Sequence, residues 1–224
     1  MQASVAHARF VDRPDGPGPD LAFNWPATTY LRFGLWQQVL QADLFTMPRA
    51  FPYQHALGYY ALGVAQARTG NLTGALASLQ QLQGIQKILT GRAVAYCQVA
   101  NYTLAAVVAQ AQGNTRLALV TMKKAAACQA SWPYDEPPDF HLPVRQCQGQ
   151  LELDQGEFEA AYSSFQADLS NYPNNGWSLW GLAETLKRLP PSPTRPSLTS
   201  VQARLQQAWT RADVALTSAC AFVA

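Results

Sequence analysis

Charge is what this chain has least of. Asp, Glu, Lys and Arg make up 13% of its 224 residues, about half the usual share for a soluble domain. The net charge is +2, and no run of Lys or Arg exceeds the pair Lys123-Lys124. Such a surface has no field to attract nucleic acid or an acidic membrane. Apolar residues, at 48%, are too many for disorder throughout, because their burial offsets the entropy of ordering the chain.

Cysteine is scarce as well. Cys97, Cys128, Cys147 and Cys220 include no C-x-x-C pair, so zinc and thioredoxin-like sites lack their signature. Four thiols this scattered are too few to staple the chain. Three fall in predicted helices, where a free thiol packs as a small hydrophobe, and a reducing, cytoplasmic compartment is expected. Residues Met1 to Phe10 lack the apolar core of a secretory signal. The longest uncharged stretch, Ala93 to Gly113, contains Gln98, Asn101, Gln110 and Gln112 and reads as a buried helix rather than a membrane span. With no signal peptide, the sequons at Asn71 and Asn101 read as chance. Strand signals are missing, as are the Gly-rich phosphate loop, His-Glu-x-x-His and Gly-x-Ser-x-Gly. No catalytic residue, cofactor or metal is expected, although a catalytic set can assemble from distant positions.

What is present is a period. Gly70, Gly113 and Gly156 fall 43 residues apart. Each follows an apolar helical pattern and precedes an alanine (Ala75, Ala118, Ala161), then a bulky apolar residue (Leu79, Met122, Phe165). Periodicity of this kind predicts stacked helical units that present a surface. The spacing predicts helices over 54–69 and 72–82, 92–112 and 115–129, and 142–155 and 157–170. Before them lie a Pro/Gly-rich leader over 1–26 and an irregular hairpin over 27–46, turning at Gly34. After them comes a fourth unit over 174–216, interrupted by the Pro190–Pro196 loop. Val201, Leu205, Ala208, Trp209, Ala212 and Leu216 share one helical face, predicting one long capping helix before a tail over 217–224.

These residues resemble the tetratricopeptide repeat. Its pattern sets small residues where the two helices of a pair approach and a large one between them. Gly63, Ala75 and Leu79 match it, as do Ala106, Ala118, Met122 and Ala125, and then Gly149, Ala161, Phe165 and Pro173. Leu82 and Asp168 depart from it, standing where the family has a small residue. The fourth unit matches at Trp177 and Gly181 before the proline loop. The resemblance covers residues 54–216 and implies an all-α fold: a right-handed superhelical solenoid of antiparallel helix pairs with a C-terminal capping helix. More narrowly, Tyr134-Asp135-Glu136-Pro137-Pro138, His141-Leu142-Pro143-Val144-Arg145 and Asn175-Gly176-Trp177 resemble the C-terminal part of a little-characterised group of large tetratricopeptide proteins. Members of that group carry further repeats upstream, so the resemblance also implies a fragment of a longer protein.

The family's groove positions correspond here to Tyr60, Val64 and Arg68; Thr103, Val107 and Gln110; Gln146, Gln150 and Asp154; and Asn175 and Ser178. Family members that clamp a chaperone's C-terminal carboxylate use Lys and Asn where this chain has Tyr60 and Val64, Thr103 and Val107, and Gln146 and Gln150. Those pairs lack the positive charge, which argues against a chaperone tail and for an uncharged peptide, a helix or another part of the same protein.

The 43-residue spacing exceeds the family's roughly 34, which points to the insertions. The segment from Ser131 to His141 holds Trp132, Tyr134, Phe140, three acids (Asp135, Glu136, Asp139) and three prolines. One reading is a stiffened rim that grips a partner through Trp132, Tyr134, Glu136 and His141, with Arg145 pairing Glu136. The plainer reading, in which Trp132 and Phe140 plug a gap and the acids face water, is preferred. Asp135, Glu136, Asp139 and His141 are suitable metal ligands, but no motif fixes their spacing. The expected function is a non-catalytic protein–protein interaction scaffold. The alternatives are a metal-binding or enzymatic accessory domain built on residues 131–145, and a structural fragment of a larger tetratricopeptide protein.

Overall fold

A computed structural model of the chain describes residues 25–45, 52–133 and 140–223. The expected leader lies almost wholly outside the described residues, as do Tyr134 and Glu136. Every described element is helical: α1 Trp25–Arg32, α2 Trp36–Gln41, α3 Pro52–Arg68, α4 Leu72–Gln86, α5 Arg92–Ala111, α6 Thr115–Ala130, α7 Val144–Asp154, α8 Phe158–Asn171, α9 Gly176–Leu186 and α10 Leu198–Ala208. The all-α expectation holds among the described residues, and the boundaries of α3 to α8 fall within a few residues of the periodic reading. The chain divides into two compact units, Met1–Leu142 and Pro143–Ala224.

The turns explain why the helices end where they do. Gly34, Gly70, Gly113 and Gly156 all have φ between +69° and +84°, a region closed to most side chains and open to glycine. At each, the following residue's N–H reaches back five positions: Asn71 to the Gln66 carbonyl at 2.8 Å, Asn114 to Ala109 at 2.9 Å, Glu157 to Glu152 at 2.8 Å. The glycine N–H bonds three positions back, completing a Schellman stop that satisfies the last carbonyls of the helix. Asn71 and Asn114 then start the next helix, their side chains accepting from the Gly74 and Leu117 N–H groups at 2.9 and 3.0 Å. Two adjacent residues thus end one helix and cap the next.

Within each unit the helices pair across seams of small residues. In the first unit α3 packs on α4 and on α5, and α5 on α6. A Cβ added at Gly63 would lie 2.7 Å from Leu104 Cδ2, so its absence lets α3 and α5 close. In the second unit α8 packs on α7 and α9, and α9 on α10. There Phe165, fully buried, wedges between Gly149 and Gly181: a Cβ on Gly149 would stand 2.7 Å from the ring, and one on Gly181 would overlap it. Ala161, Leu169, Leu179, Leu182, Ala183, Val201 and Ala219, the last from the C-terminal segment, complete that core.

Asp168, the departure from the small-residue pattern, is buried beside this core. It accepts hydrogen bonds from Ser178 Oγ at 2.6 Å and Asn175 Nδ2 at 2.7 Å. Hydrogen bonds do there what close apolar contact does at the other seams. Glu152, also buried, accepts from Ser164 Oγ at 2.6 Å and Gln148 Nε2 at 3.0 Å.

Two expectations fail in the second unit. The final helix stops at Ala208, leaving Ala212 and Leu216 outside it. Trp209 meets Trp177 edge-on at 4.8 Å, its ring fills the space above Gly176, and its indole N–H donates to the Val214 carbonyl at 2.7 Å. That capture turns the chain out of the helix. The segment expected as a tail is instead buried at Ser218, Ala219, Cys220, Phe222 and Val223. Cys220 is joined to Cys147 by a disulfide across a sequence separation of 73, with Cα atoms 4.9 Å apart. The reading of scattered free thiols therefore holds only for Cys97 and Cys128. Closing a loop of this length stabilises the fold by about 4 kcal/mol on chain-entropy grounds.

Substitution at the second seam tests this packing. Gly181→Ala should destabilise the protein by about 1–3 kcal/mol in urea unfolding, as expected of overpacking. Combined with Phe165→Leu, the loss should fall short of the sum of the two single effects by about 1 kcal/mol or more.

Candidate functional site

The residues aligned with a peptide groove are mostly buried. Tyr60, Val64 and Thr103 are inaccessible, Val107 nearly so, and Gln146, Gln150 and Ser178 are buried too. Arg68 and Gln110 are half-buried. Arg68 lies over the Trp36 ring, 6.0 Å from its centroid, so α2 engages a guanidinium that the groove alignment leaves open. The Thr103 hydroxyl finds no hydrogen-bond partner among the described residues.

In the first unit, the segment Phe140–Leu142 covers this face. Phe140, buried, packs against Tyr60 with ring centroids 5.6 Å apart, and His141 packs against Tyr60 at the same separation. The Tyr60 hydroxyl and His141 Nε2 lie 3.0 Å apart. Arg32 Nη1 on α1 donates to the His141 carbonyl at 2.9 Å, and Gln129 Nε2 on α6 donates to the Leu142 carbonyl at 2.9 Å. Three helices thus fix three residues of loop. Further back, Trp132 meets Tyr96 edge-on at 4.7 Å. Phe140 is buried and Trp132 half-buried, while the three acids of this insertion lie outside the described residues. Tyr134 and Glu136 lie outside the described residues.

Burial, followed by the positive charge of Arg32, depresses the His141 imidazole to about 3. Burial likewise pushes the Tyr60 hydroxyl well above its ordinary value. Both groups stay neutral near pH 7 and serve as a hydrogen-bonded aromatic pair. Among the described residues no group of three His, Cys, Asp or Glu side chains converges on a possible metal position. Of the ligand set considered for this loop only His141 is described, and its Nε2 faces the Tyr60 hydroxyl.

In the second unit the corresponding face belongs to α7. Gln146 Oε1 accepts from Asn175 Nδ2 at 2.9 Å. Gln150 Nε2 donates to Asp154 Oδ1 at 2.7 Å, which leaves its carbonyl oxygen to accept the Ala219 backbone N–H at 2.8 Å. Cys147, between the two glutamines, carries the disulfide to Cys220. The face holds an irregular piece of the chain through its backbone, without a formal charge at either atom of the contact. Arg145 sits half-buried on the same helix.

Arg32, Ser218 and Ala219 were not among the residues singled out by sequence, and Phe140 only as a plug. Arg32 gave no signal, because it acts on a backbone carbonyl 109 positions away. Cys147 and Cys220 gave a weak one, since pairing was open to any two of four thiols.

The His141 environment predicts an acid-sensitive loop. The unfolded chain protonates this imidazole near 6.5, whereas the folded chain resists until about 3. Its contribution is therefore whole above about pH 6.5 and is lost progressively as the pH falls toward 3. Urea unfolding at pH 7 and pH 4 should show a loss in the native protein that exceeds the loss in His141→Phe by about 2 kcal/mol. Equal losses would place His141 outside the acid response.

The chain matches no protein-family model, no curated protein and no solved structure; its likeness to the tetratricopeptide repeat rests on its own residues.

Proposed function

We propose that this chain is a non-catalytic scaffold of the tetratricopeptide type, whose helix faces hold uncharged, extended protein segments. One observation carries the reading. Gln150, at a position the family uses for peptide recognition, accepts a backbone N–H from the irregular segment containing Ala219. Recognition of this kind reads main chain rather than charge, as extended-peptide binding does. The Phe140–Leu142 segment on Tyr60 supports it, since a second face is again covered by non-helical chain through neutral and aromatic contacts.

The low charge of the whole sequence fits the same chemistry. A groove that takes carboxylate tails needs cations, and the positions here carry Tyr60, Val64, Thr103, Gln146 and Gln150. A structural role within a larger protein shares part of this support, because faces that are already covered contribute burial as well as recognition.

Among the described residues no helix is long and apolar enough to cross a membrane. A cytoplasmic home, the expectation from sequence, would hold Cys147 and Cys220 as thiols, whereas an oxidising compartment would keep them joined.

Selection from a random peptide display library against the full chain should enrich sequences without charged side chains. Gln146→Ala combined with Gln150→Ala should cut that enrichment at least about tenfold, the loss of roughly 1.4 kcal/mol of binding. Enrichment of acidic peptides, or none at all, would overturn the proposal.

A further inference from the structure

We infer that Asn71 is an N-glycan acceptor, modified in an oxidising compartment by an oligosaccharide carried on a lipid pyrophosphate. The folded protein carries no such glycan at Asn101, although the same motif stands there. None of this depends on what the helix faces hold.

Asn71-Leu72-Thr73 and Asn101-Tyr102-Thr103 both fit the Asn-x-Ser/Thr acceptor pattern. Sequence alone does not choose between them, and it sets both aside because Met1 to Phe10 lack the core of a secretory signal. Two structural observations change that reading. The first is the Cys147–Cys220 disulfide. Such bonds persist where secreted chains mature, which is also where acceptor asparagines are modified. The second is the contrast between the two sites.

Asn71 stands exposed in the turn between α3 and α4, and Thr73 is exposed two residues on. The Asn71 Oδ1 accepts from the Gly74 N–H at 2.9 Å, whereas its Nδ2 donates to no partner among the described residues. Gly74 keeps that nitrogen clear, since a Cβ there would stand 2.6 Å from it. Glycosylation replaces one hydrogen on Nδ2 and leaves Oδ1 as it was. The helix cap and the glycan therefore use opposite ends of one amide.

Asn101 offers no such end. It lies half-buried in the middle of α5. Its Nδ2 donates to Gln86 Oε1 at 2.6 Å and its Oδ1 accepts from Gln83 Nε2 at 3.4 Å, both on α4. Thr103, which would supply the hydroxyl of the motif, is inaccessible. A sugar on that nitrogen would part α5 from α4, so a chain modified there would not reach this fold. Asn114 is a natural control for the turn itself. It caps the next helix as Asn71 does, accepting from the Leu117 N–H at 3.0 Å, but Arg116 stands where the motif needs a hydroxyl.

The transfer balances as a substitution at the anomeric carbon of the oligosaccharide. The Asn71 Nδ2 forms the new C–N bond and gives up one proton to a base of the transferase. The C–O bond to the pyrophosphate breaks, and the lipid pyrophosphate leaves with that electron pair. Nothing is oxidised or reduced.

The test begins with protein purified from the cells that make it, treated with peptide N-glycosidase in heavy-oxygen water and then digested with trypsin. The peptide Thr69–Lys87 should carry aspartate at position 71 with one heavy oxygen. The peptide Ala93–Arg116, which contains Asn101 and Asn114, should be unlabelled. Before digestion the treated chain should migrate faster by one glycan. Aspartate caps a helix as asparagine does, so its helical circular dichroism should be unchanged. A second arm directs the full chain into microsomes behind a secretory signal and counts glycans on the protease-resistant product. Thr73→Ala should abolish the glycan and Thr73→Ser retain it. Asn101→Gln should change nothing, and Arg116→Thr should add a second glycan at Asn114.

An unlabelled position 71 in the native protein would overturn the inference. Free Cys147 and Cys220 thiols in that protein would do the same, by placing the chain in a reducing compartment. Label at position 101 would overturn the distinction between the two sites. Failure of Arg116→Thr to gain a glycan would remove the exposed, capped turn as the reason Asn71 is chosen.

Discussion

The closest constraint in this protein is the fit of a large side chain into a surface without Cβ atoms. Phe165 sits against Gly149 and Gly181, and Leu104 against Gly63. Interiors are packed to nearly crystalline density, so the distance between two helices is set by what their facing residues allow. Glycine at these positions brings the backbones together, and the neighbouring large residue fills the space left over. The other features of each unit follow from that approach.

One consequence concerns polar groups. When helices approach this closely, side chains in the middle of a face leave water, including Gln54, Thr103, Gln146, Gln150 and Ser178. Uncharged amides and hydroxyls cost least there when paired. The second unit pairs Gln146, Asn175, Ser178 and Asp168 with one another, and Gln150 with Asp154 and the Ala219 N–H. The scarcity of charge in the sequence thus has a structural use. Amides and hydroxyls form such networks at lower desolvation cost than lysine or arginine would.

The turns and most helix ends were legible in the sequence because their causes are local. Gly70-Asn71 and Gly113-Asn114 carry a left-handed stop and a side-chain cap in adjacent residues, and both can be read without knowing the fold. The small–large seam was legible too, since Gly149 and Phe165 recur in register with the period. The early end of α10 was not. Ala212 and Leu216 continue the helical phase, and only the contact of Trp209 with Gly176 and Trp177 shows why the chain leaves it. The coverings of the two faces were equally hidden. Arg32 with His141 and Cys147 with Cys220 are pairings across 109 and 73 positions, and periodicity carries no information at such separations. The positions expected to line a groove came from the resemblance alone, which gives no information on whether the chain itself covers those residues.

The two units cover their faces by different means, and the difference follows from how each covering segment is tethered. Phe140–Leu142 is anchored from three directions by Arg32, Tyr60 and Gln129. Two of those bonds end on backbone carbonyls, and the Arg32 bond is charge-assisted, which roughly doubles its strength. Non-covalent contacts suffice for a segment held on so many sides. Ser218–Val223 donates the Ala219 N–H to Gln150 on α7, packs Ala219 into the core around Phe165, and is reached by an exposed leash. Burial of Ala219, Phe222 and Val223 adds to that bond. Loop closure alone is worth about 4 kcal/mol for a separation of this length, larger than the net value of about 1 kcal/mol for a single neutral hydrogen bond. The covalent bond therefore adds to the second covering a restraint that the first lacks, while the first depends on aromatic contact and a neutral histidine.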